Sequence, residues 1–363
     1  MDIIALSKNN QDAWDSFCLQ SDSAWFRHTT RFLDCVLNCR FDGKSKNLSF
    51  MMREQNKIVA IVPLIMQTIH DEPENYEFAM FNNNDTPYPA FSNELREDKK
   101  NTITKIIFGE VDRLAKENKI LYSRFSLEPL CSELLEGRQR FNPLTKFGYH
   151  ETSLSTNIID LRMPENELLM NIRKGHKADI KAASRDGYIV DIFDKDNISE
   201  EIFNIYKNLH FTAAGRQTRP IKSWDLMCSW IKDDYAFLLL ERNKKNTEYI
   251  SGAYVITSKQ QAHYGSGATH PNLDKIRGIG HLAQWEAIKF LRRKGYLFYE
   301  TGWNYAPVIS QEVASQKELN ISHFKSGFGG EVFPLFRGEK FYDQNYLRKK
   351  KNILIERYCK EYK

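Results

Sequence analysis

The stretch HFKSGFGGEVFP, residues 323–334, holds Lys325 between Phe324 and Phe328, with Gly327, Gly329 and Gly330 following close behind. A lysine held against so tightly turning a backbone is suited to meeting negative charge that develops on a reacting oxygen. An amine attacking an ester or thioester passes through a tetrahedral anion, and one fixed donor beside that oxygen lowers the barrier by about 3 to 4 kcal/mol. The phenylalanines would fix the turn, and the glycines would let backbone N–H groups approach a ligand. The plainer alternative is a helix end that runs through a glycine turn into a strand, with Lys325 in water.

Three further groups of residues could take part in such chemistry. In KIRGIGHL, residues 275–282, a glycine-led approach precedes an apolar periodic helix. Helix starts of this kind offer N–H groups to phosphate, so Lys275, Arg277, Gly278 and Gly280 are candidate anion ligands. A glycine-led helix start with solvent-facing cations would look the same. Arg216 and Arg219 sit in a loop-like stretch ended by Pro220, and arginine forks match phosphate oxygens better than lysine does. Tyr264, in AHYGSG, and Tyr88, in TPYP, carry hydroxyls that could reach a sugar or peptide, although most such tyrosines only pack. For a general base Glu300 is the choice, at the end of LFYETGW, with His263 and His210 as alternatives and a structural pair with Arg216 as its plain role. No Ser-His-Asp or Cys-His spacing supports an acyl-enzyme, so the expected reaction is direct transfer.

The elements that would position these residues occur twice. LSFMMREQNKIVAIVPLIM (48–66) and YAFLLLERNKKNTEYISGAYVIT (235–257) each read as a β-hairpin. A helix with apolar residues three and four apart follows in each half, ITKIIFGEVDRLAKENK and GHLAQWEAIKFLRRKGYL, leading to the strands ILYSRFSLE and FYETGW. Each half closes on a phenylalanine and glycine turn, at 144–152 and at 323–332. This order predicts an α/β protein of two tandem acetyltransferase-like (GNAT-like) domains, each a mixed β-sheet flanked by helices, with the sheet splitting where a donor or acceptor sits. The expected boundaries are 1–154 and 155–363. The second half should open with a strand, one proline-started basic helix and a strand after Gly187.

Composition sets outer limits. A chain of 363 residues with 41% hydrophobic content can fill two cores. No window is long and apolar enough for a transmembrane helix, and MDIIALSKNNQDAW lacks the features of a signal peptide, so the chain reads as cytoplasmic. The six cysteines form no CxxC pair and read as reduced, mostly buried thiols, with no metal site expected. Net charge is only +5, yet Lys and Arg gather at 173–185, 289–294 and 348–351. An anionic partner fits this distribution, as do ordinary solvated faces.

IRKGHKADIKAASRDGYIV, TAAGRQTRP, AHYGSGATHPN, RGIGHLAQWEAIKFLRRKGYLFYETGW and HFKSGFGG, in that order, resemble the FemABX-like group of aminoacyl and acyl transferases, which includes enzymes adding amino acids to peptidoglycan precursors. The resemblance covers most of 155–335 and, more weakly, 20–150, where TPYPAF resembles the tyrosine and proline loop of the group's first domain. It implies two acetyltransferase-like domains and an amide-forming reaction. It also implies that Phe324 and Lys325 contact the donor carbonyl or acceptor, and that Arg216 binds the acceptor with Arg31 as its first-domain counterpart. KIRGIG nearly reproduces the pyrophosphate loop of CoA-dependent acetyltransferases. The donor therefore stays open between acyl-CoA and aminoacyl-tRNA, used as a substrate with no tightly bound cofactor.

The favoured reading is transfer of an amino acid or acyl group to an amine on a cell-envelope precursor, either a peptidoglycan peptide or a nucleotide-linked amino sugar. The alternative is an acyl-CoA-dependent sugar N-acyltransferase of capsule or surface-glycan synthesis. A non-catalytic tRNA- or RNA-binding protein ranks last, because the basic segments lack interleaved aromatics. The expected partners are an anionic or nucleotide-linked acceptor and, with an ester donor, tRNA. DNA is not among them, and peripheral membrane contact is compatible with the charge pattern. The basic stretch at 173–185 would favour the tRNA donor if its charges share one exposed face.

Overall fold

The first hairpin turns at Gln55 and Asn56, both at positive φ (48° and 65°), the two-residue connection whose twist matches antiparallel strands. It joins β1 (Phe50–Glu54) to β2 (Lys57–Val62), registered from Phe50↔Val62 to Glu54↔Lys57. The computed structural model describes every residue except 41–43, 70–71, 81–84, 246, 272–275, 307, 310–311 and 362–363. Two compact units divide the chain: Met1–Ser155 with Tyr305–Leu319 and Pro334–Lys363, and Thr156–Asn304 with Asn320–Phe333. The expected change of domain at 154/155 lies one residue from this division. The segments 305–319 and 334–363, expected in the second domain, instead pack with the first unit.

In the first unit, β2 leads past Pro63 to β3 (Ile65–Ile69), which pairs antiparallel with β4 (Glu72–Phe78). Helix α1 (Glu97–Glu117) buries Ile103, Ile107, Phe108, Val111 and Ala115, a three-and-four spacing that lays one apolar stripe on the sheet. It returns the chain to β5 (Ile120–Ser126), parallel to β4 with Tyr76↔Ile120. The strand Arg337–Phe341 then pairs antiparallel with β5, and His150–Glu151 lies beyond it. The core gathers Phe78, Phe108, Phe125, Leu144 and Tyr149 with strand residues of both hairpin arms.

In the second unit the chain forms β6 (Leu154–Asp160), α2 (Lys174–Arg185), β7 (Tyr188–Phe193), α3 (Glu200–Ala214), β8 (Ala236–Asn243), β9 (Tyr249–Ser258) and β10 (Gln261–Thr269). Then follow α4 (His281–Lys294), β11 (Phe298–Asn304), α5 (Gln316–Ser326) and β12 (Glu331–Leu335). The sheet order is β7-β8-β9-β10-β11-β6-β12. β8 reads AFLLLERN and is buried through its first six residues, as a central strand covered on both faces should be. Helix α4 begins after Gly280 and stops at Gly295, both left-handed, and it turns Leu282, Trp285, Ile288 and Leu291 to the core.

Both units thus carry the expected hairpin, helix and parallel strand in one order. One expectation fails locally: the single basic helix after Pro164 is two, Glu165–Asn171 and α2, divided at Ile172 and Arg173. Both of these residues are extended (ψ 137° and 142°), and the Arg173 amide bonds to the Gly327 carbonyl at 2.9 Å instead of continuing a helix.

Candidate functional site

The parallel register of β10 and β11 runs Gln261↔Phe298, Ala262↔Tyr299, His263↔Glu300. Beyond that pair β10 stays with β9 as far as Thr269, while β11 runs beside β6. A bulge at Tyr254/Val255, which leaves Gly265 as the extra residue, bends β10 away at this level. His263 and Glu300 therefore stand on the floor of the opening where the two strands part.

Glu300 is 1% exposed and fully engaged. The Thr156 hydroxyl donates to its Oε1 at 2.7 Å, and His263 Nδ1 lies 2.7 Å from its Oε2. The pairing of Glu300 with Arg216 that would have made it purely structural is not formed; His263 and Thr156 take the carboxylate.

Lys325 enters the same opening from the last turn of α5, where the reading of 323–334 as a corner had placed it in the turn itself. Its alternative role as a surface lysine fails too. Burial pushes the ammonium below its ordinary lysine value, and the Glu300 carboxylate pulls it partly back. Its Nζ lies 5.9 Å from the centre of the Tyr264 ring, within cation–π range. Gly302, at φ +102°, makes room for it, since a Cβ there would stand 2.6 Å from Nζ. The buried Tyr264 hydroxyl is held protonated well above the ordinary tyrosine range. Phe324 packs its ring edge-on against Phe328 at 5.0 Å and against His281 at 4.9 Å. Lys325, Glu300, Tyr264, Phe324 and His263 are thus brought together by the fold.

The candidate anion loop leads to a helix start that the protein itself occupies. The Gly280 N–H donates to Glu241 Oε2 at 2.8 Å, and Glu241, on β8, is 0% exposed. Burial pushes that carboxyl up to about 7, against the Gly280 N–H that favours its charged form. Arg277 is committed to Asp179 at 2.8 Å, and Gly278 lies against the Asp179 carbonyl with no space for a Cβ. Lys275 lies outside the described residues. His176, Asp179 and His281 bring ligand-type atoms within 4.8 Å of one another. Both His176 nitrogens are engaged, however, and the Arg173 guanidinium lies 3.2 Å from its Nε2, a poor environment for a cation.

Arg216 is exposed in the turn after α3, and Arg219 lies over the Trp224 ring at 5.1 Å. In the first unit Arg31 is half-buried on the helix Thr30–Asn38. Tyr88 lines a cavity of about 170 Å³ with Phe91, Lys100, Thr104, Glu128 and Glu133, and its carbonyl accepts from His28 Nε2 at 2.8 Å. Sequence reasoning missed Thr156, Gly302, Glu241, Arg173 and His176. Glu241 did leave a signal, a single carboxylate directly after the apolar run AFLLL. His176 left another, at the head of the 176, 180, 183 spacing that marks the buried face of α2.

No family model matches the chain, and no curated protein matches it. Solved structures do match along nearly its whole length. FemX superposes with a TM-score of 0.66 at 12% identity, covering 96% of this chain and 99% of its own. L-PGS from Bacillus licheniformis follows at 0.57 and 13%, covering 98% and 97%. A tandem GNAT protein from the clavulanic acid biosynthesis pathway gives 0.51 and 11%, covering 94% and 98%. The chain has the tandem GNAT-type fold that these proteins share.

Proposed function

We propose that this protein is a transferase that forms an amide by passing an acyl or aminoacyl group directly to an amine, with a cell-envelope precursor as the acceptor. The observation that carries the reading is the Lys325 ammonium, half-buried in the opening between β10 and β11 beside Glu300 and Tyr264. The attacking amine forms the new N–C bond, and Lys325 meets the oxyanion that results. Collapse breaks the ester or thioester bond, and the proton lost by the amine passes through the Glu300–His263 pair to the leaving oxygen or sulfur. Arg216, with Arg31 and Tyr88 in the first unit, remains assigned to the acceptor. Arg216→Ala should weaken acceptor binding by about 1 to 3 kcal/mol without changing donor affinity.

Two features favour an aminoacyl ester on tRNA over acyl-CoA as donor. The start of α4 already holds a carboxylate, Glu241, where a diphosphate would need free N–H groups. In addition Lys174, Lys181 and Arg185 are all exposed on α2, and their spacing of seven and four sets them within about 40° of one another around the helix. Arg173 and Lys177 stand apart from this face, Arg173 bonded to the His323 carbonyl and Lys177 to the Met170 carbonyl, so three of the five cations of the stretch support the tRNA donor.

The test is to incubate purified protein with labelled aminoacyl-tRNAs and acyl-CoAs beside UDP-linked amines and follow which donor is consumed. Consumption of acyl-CoA alone would move the reading to the sugar N-acyltransferase. Binding of tRNA with consumption of neither donor would move it to the RNA-binding alternative.

A further inference from the structure

The last turn of α5 is held from outside by two side chains of the α2 segment. The carbonyls that end a helix lack partners within it and favour cations. Here Arg173 Nη2 donates to the His323 carbonyl at 2.9 Å and the Arg173 backbone N–H to the Gly327 carbonyl at 2.9 Å. His176 Nε2 donates to the Phe324 carbonyl at 2.9 Å. These contacts fall on the two residues before Lys325 and on the second one after it, so they fix the backbone from which its side chain leaves.

The arrangement also accounts for Gly327. A Cβ there would stand 2.2 Å from His176 Nε2 and 2.7 Å from Arg173 Nη2, so any side chain at 327 would displace both. It requires one protonation state as well. With its Nε2–H given to Phe324, His176 must keep Nδ1 free of hydrogen to accept from Arg173, 3.3 Å away. The groups facing His176 are Arg173 and Asp179 from its own segment, His281 from α4, and His323, Phe324 and Phe328 from the 323–328 stretch.

We infer that Arg173 and His176 are positioning residues that hold the Lys325 ammonium in the β10–β11 opening, an inference that rests on the role proposed for Lys325. Neither touches the reacting atoms. Both act through the carbonyls that flank the lysine.

The test reads the lysine itself and needs no substrate. Intact protein is labelled with trace acetic anhydride across a pH series, and the acetylation of each lysine is measured by mass spectrometry, with exposed Lys181 as internal reference. In the unaltered protein Lys325 should react more slowly than Lys181 and titrate below the ordinary lysine value. In Arg173→Gln and His176→Leu its reactivity should rise several-fold and its titration should move back towards that ordinary value. His176→Gln, which retains an N–H donor, should stay near the unaltered profile. Gly327→Ala reaches the same contacts by a second route and should behave as Arg173→Gln does. Near-ultraviolet circular dichroism identifies the variants that are folded. An unchanged Lys325 profile in folded Arg173→Gln or Gly327→Ala overturns the positioning role. A profile that responds as expected, together with normal turnover in Lys325→Ala, would leave the positioning role standing and remove the catalytic one.

Discussion

Lys325 sits where two demands conflict, since burial disfavours its charge and catalysis requires that charge. Glu300 and the Tyr264 ring are the groups on hand to offset the desolvation. Lys325→Ala should fold, because a cation is being removed from a half-buried place, and its kcat should fall by roughly a hundredfold or more with acceptor binding kept, the scale for one lost oxyanion donor. Lys325→Arg should recover little, since a planar fork cannot take the position of a compact ammonium beside Gly302. Steady-state kinetics with the consumed donor decides both, and near-normal turnover in Lys325→Ala would return the lysine to a packing role. The lowered ammonium pKa adds a sign: the cation is complete below it and is lost as pH rises through it. Activity should therefore fade on the alkaline side at lower pH than an exposed lysine, near 10.4, would give. Two histidines also titrate far from neutrality. Burial pushes His281 and His210 down to about 4 each, so their imidazole NMR signals should stay in the neutral form at pH 6 and move only near pH 4. Movement at the ordinary 6.5 would mean that both rings are wetter than their packing implies.

At the scale of elements, the start of α4 distinguishes this unit from one that holds a diphosphate. Glu241 occupies the helix end with a carboxyl that burial raises to about 7 from an ordinary 4.5, so that it carries its charge only in part at neutral pH. A raised carboxyl means that the folded state holds its proton more tightly than the unfolded one. The stabilisation from that proton is complete below about 4.5 and is lost as pH rises to about 7. Glu241→Gln keeps an acceptor for the Gly280 N–H without the charge. Its stability relative to the parent should therefore rise between pH 5 and pH 8, and denaturant melts at the two values measure it. A difference independent of pH would show that the ionisation of Glu241 is not linked to folding. Most of these elements were legible beforehand, because hairpins and amphipathic helices announce themselves by local period, as in FLLLER and HLAQWEAIKFL. The division of the basic helix was not, since it depends on the Arg173 amide finding Gly327, more than 150 residues away. The site was read in part for the same reason. Lys325 and Glu300 were named as candidates from residue type and place in the order of motifs, and they stand together in the fold, whereas Glu241, Thr156 and His176 enter only through contacts that join distant parts of the chain.

At the scale of the whole molecule, the chain leaves the first unit at Ser155, returns to it over Tyr305–Leu319 and again from Pro334, which no local pattern foretold. The returning strand Arg337–Phe341 does more than extend the sheet. Arg337 and Glu339, 1% and 3% exposed, join a buried charged group with Asp85 and Arg124. Arg124 stands 2.5 Å from Asp85 and 3.8 Å from Glu339, Arg337 stands 4.0 Å from Asp85, and the Tyr122 hydroxyl donates to Glu339. Removing one partner from such a group leaves a buried charge uncompensated, at a cost of about 3 to 5 kcal/mol. That is a large part of the 5 to 15 kcal/mol by which a typical domain is stable. A chain ending at Phe333 loses one cation and one anion of this group together, so Asp85 and Arg124 keep each other, and what goes is their cover and the backbone partners that the strand gives β5. Its first unit should lose cooperative folding, whereas the second retains β7 to β11 and α4 within its own residues. Hydrogen exchange makes the comparison within one molecule: amides of 120–126 should lose protection in the truncated chain, and those of 236–243 should keep it. A synthetic peptide of residues 334–361 should restore protection at 120–126 when added in excess, since the strand and its charges return together. Continued protection of 120–126 without the peptide would mean that the first unit holds its buried charges by itself, and that the returning strand is an addition to a sheet already stable.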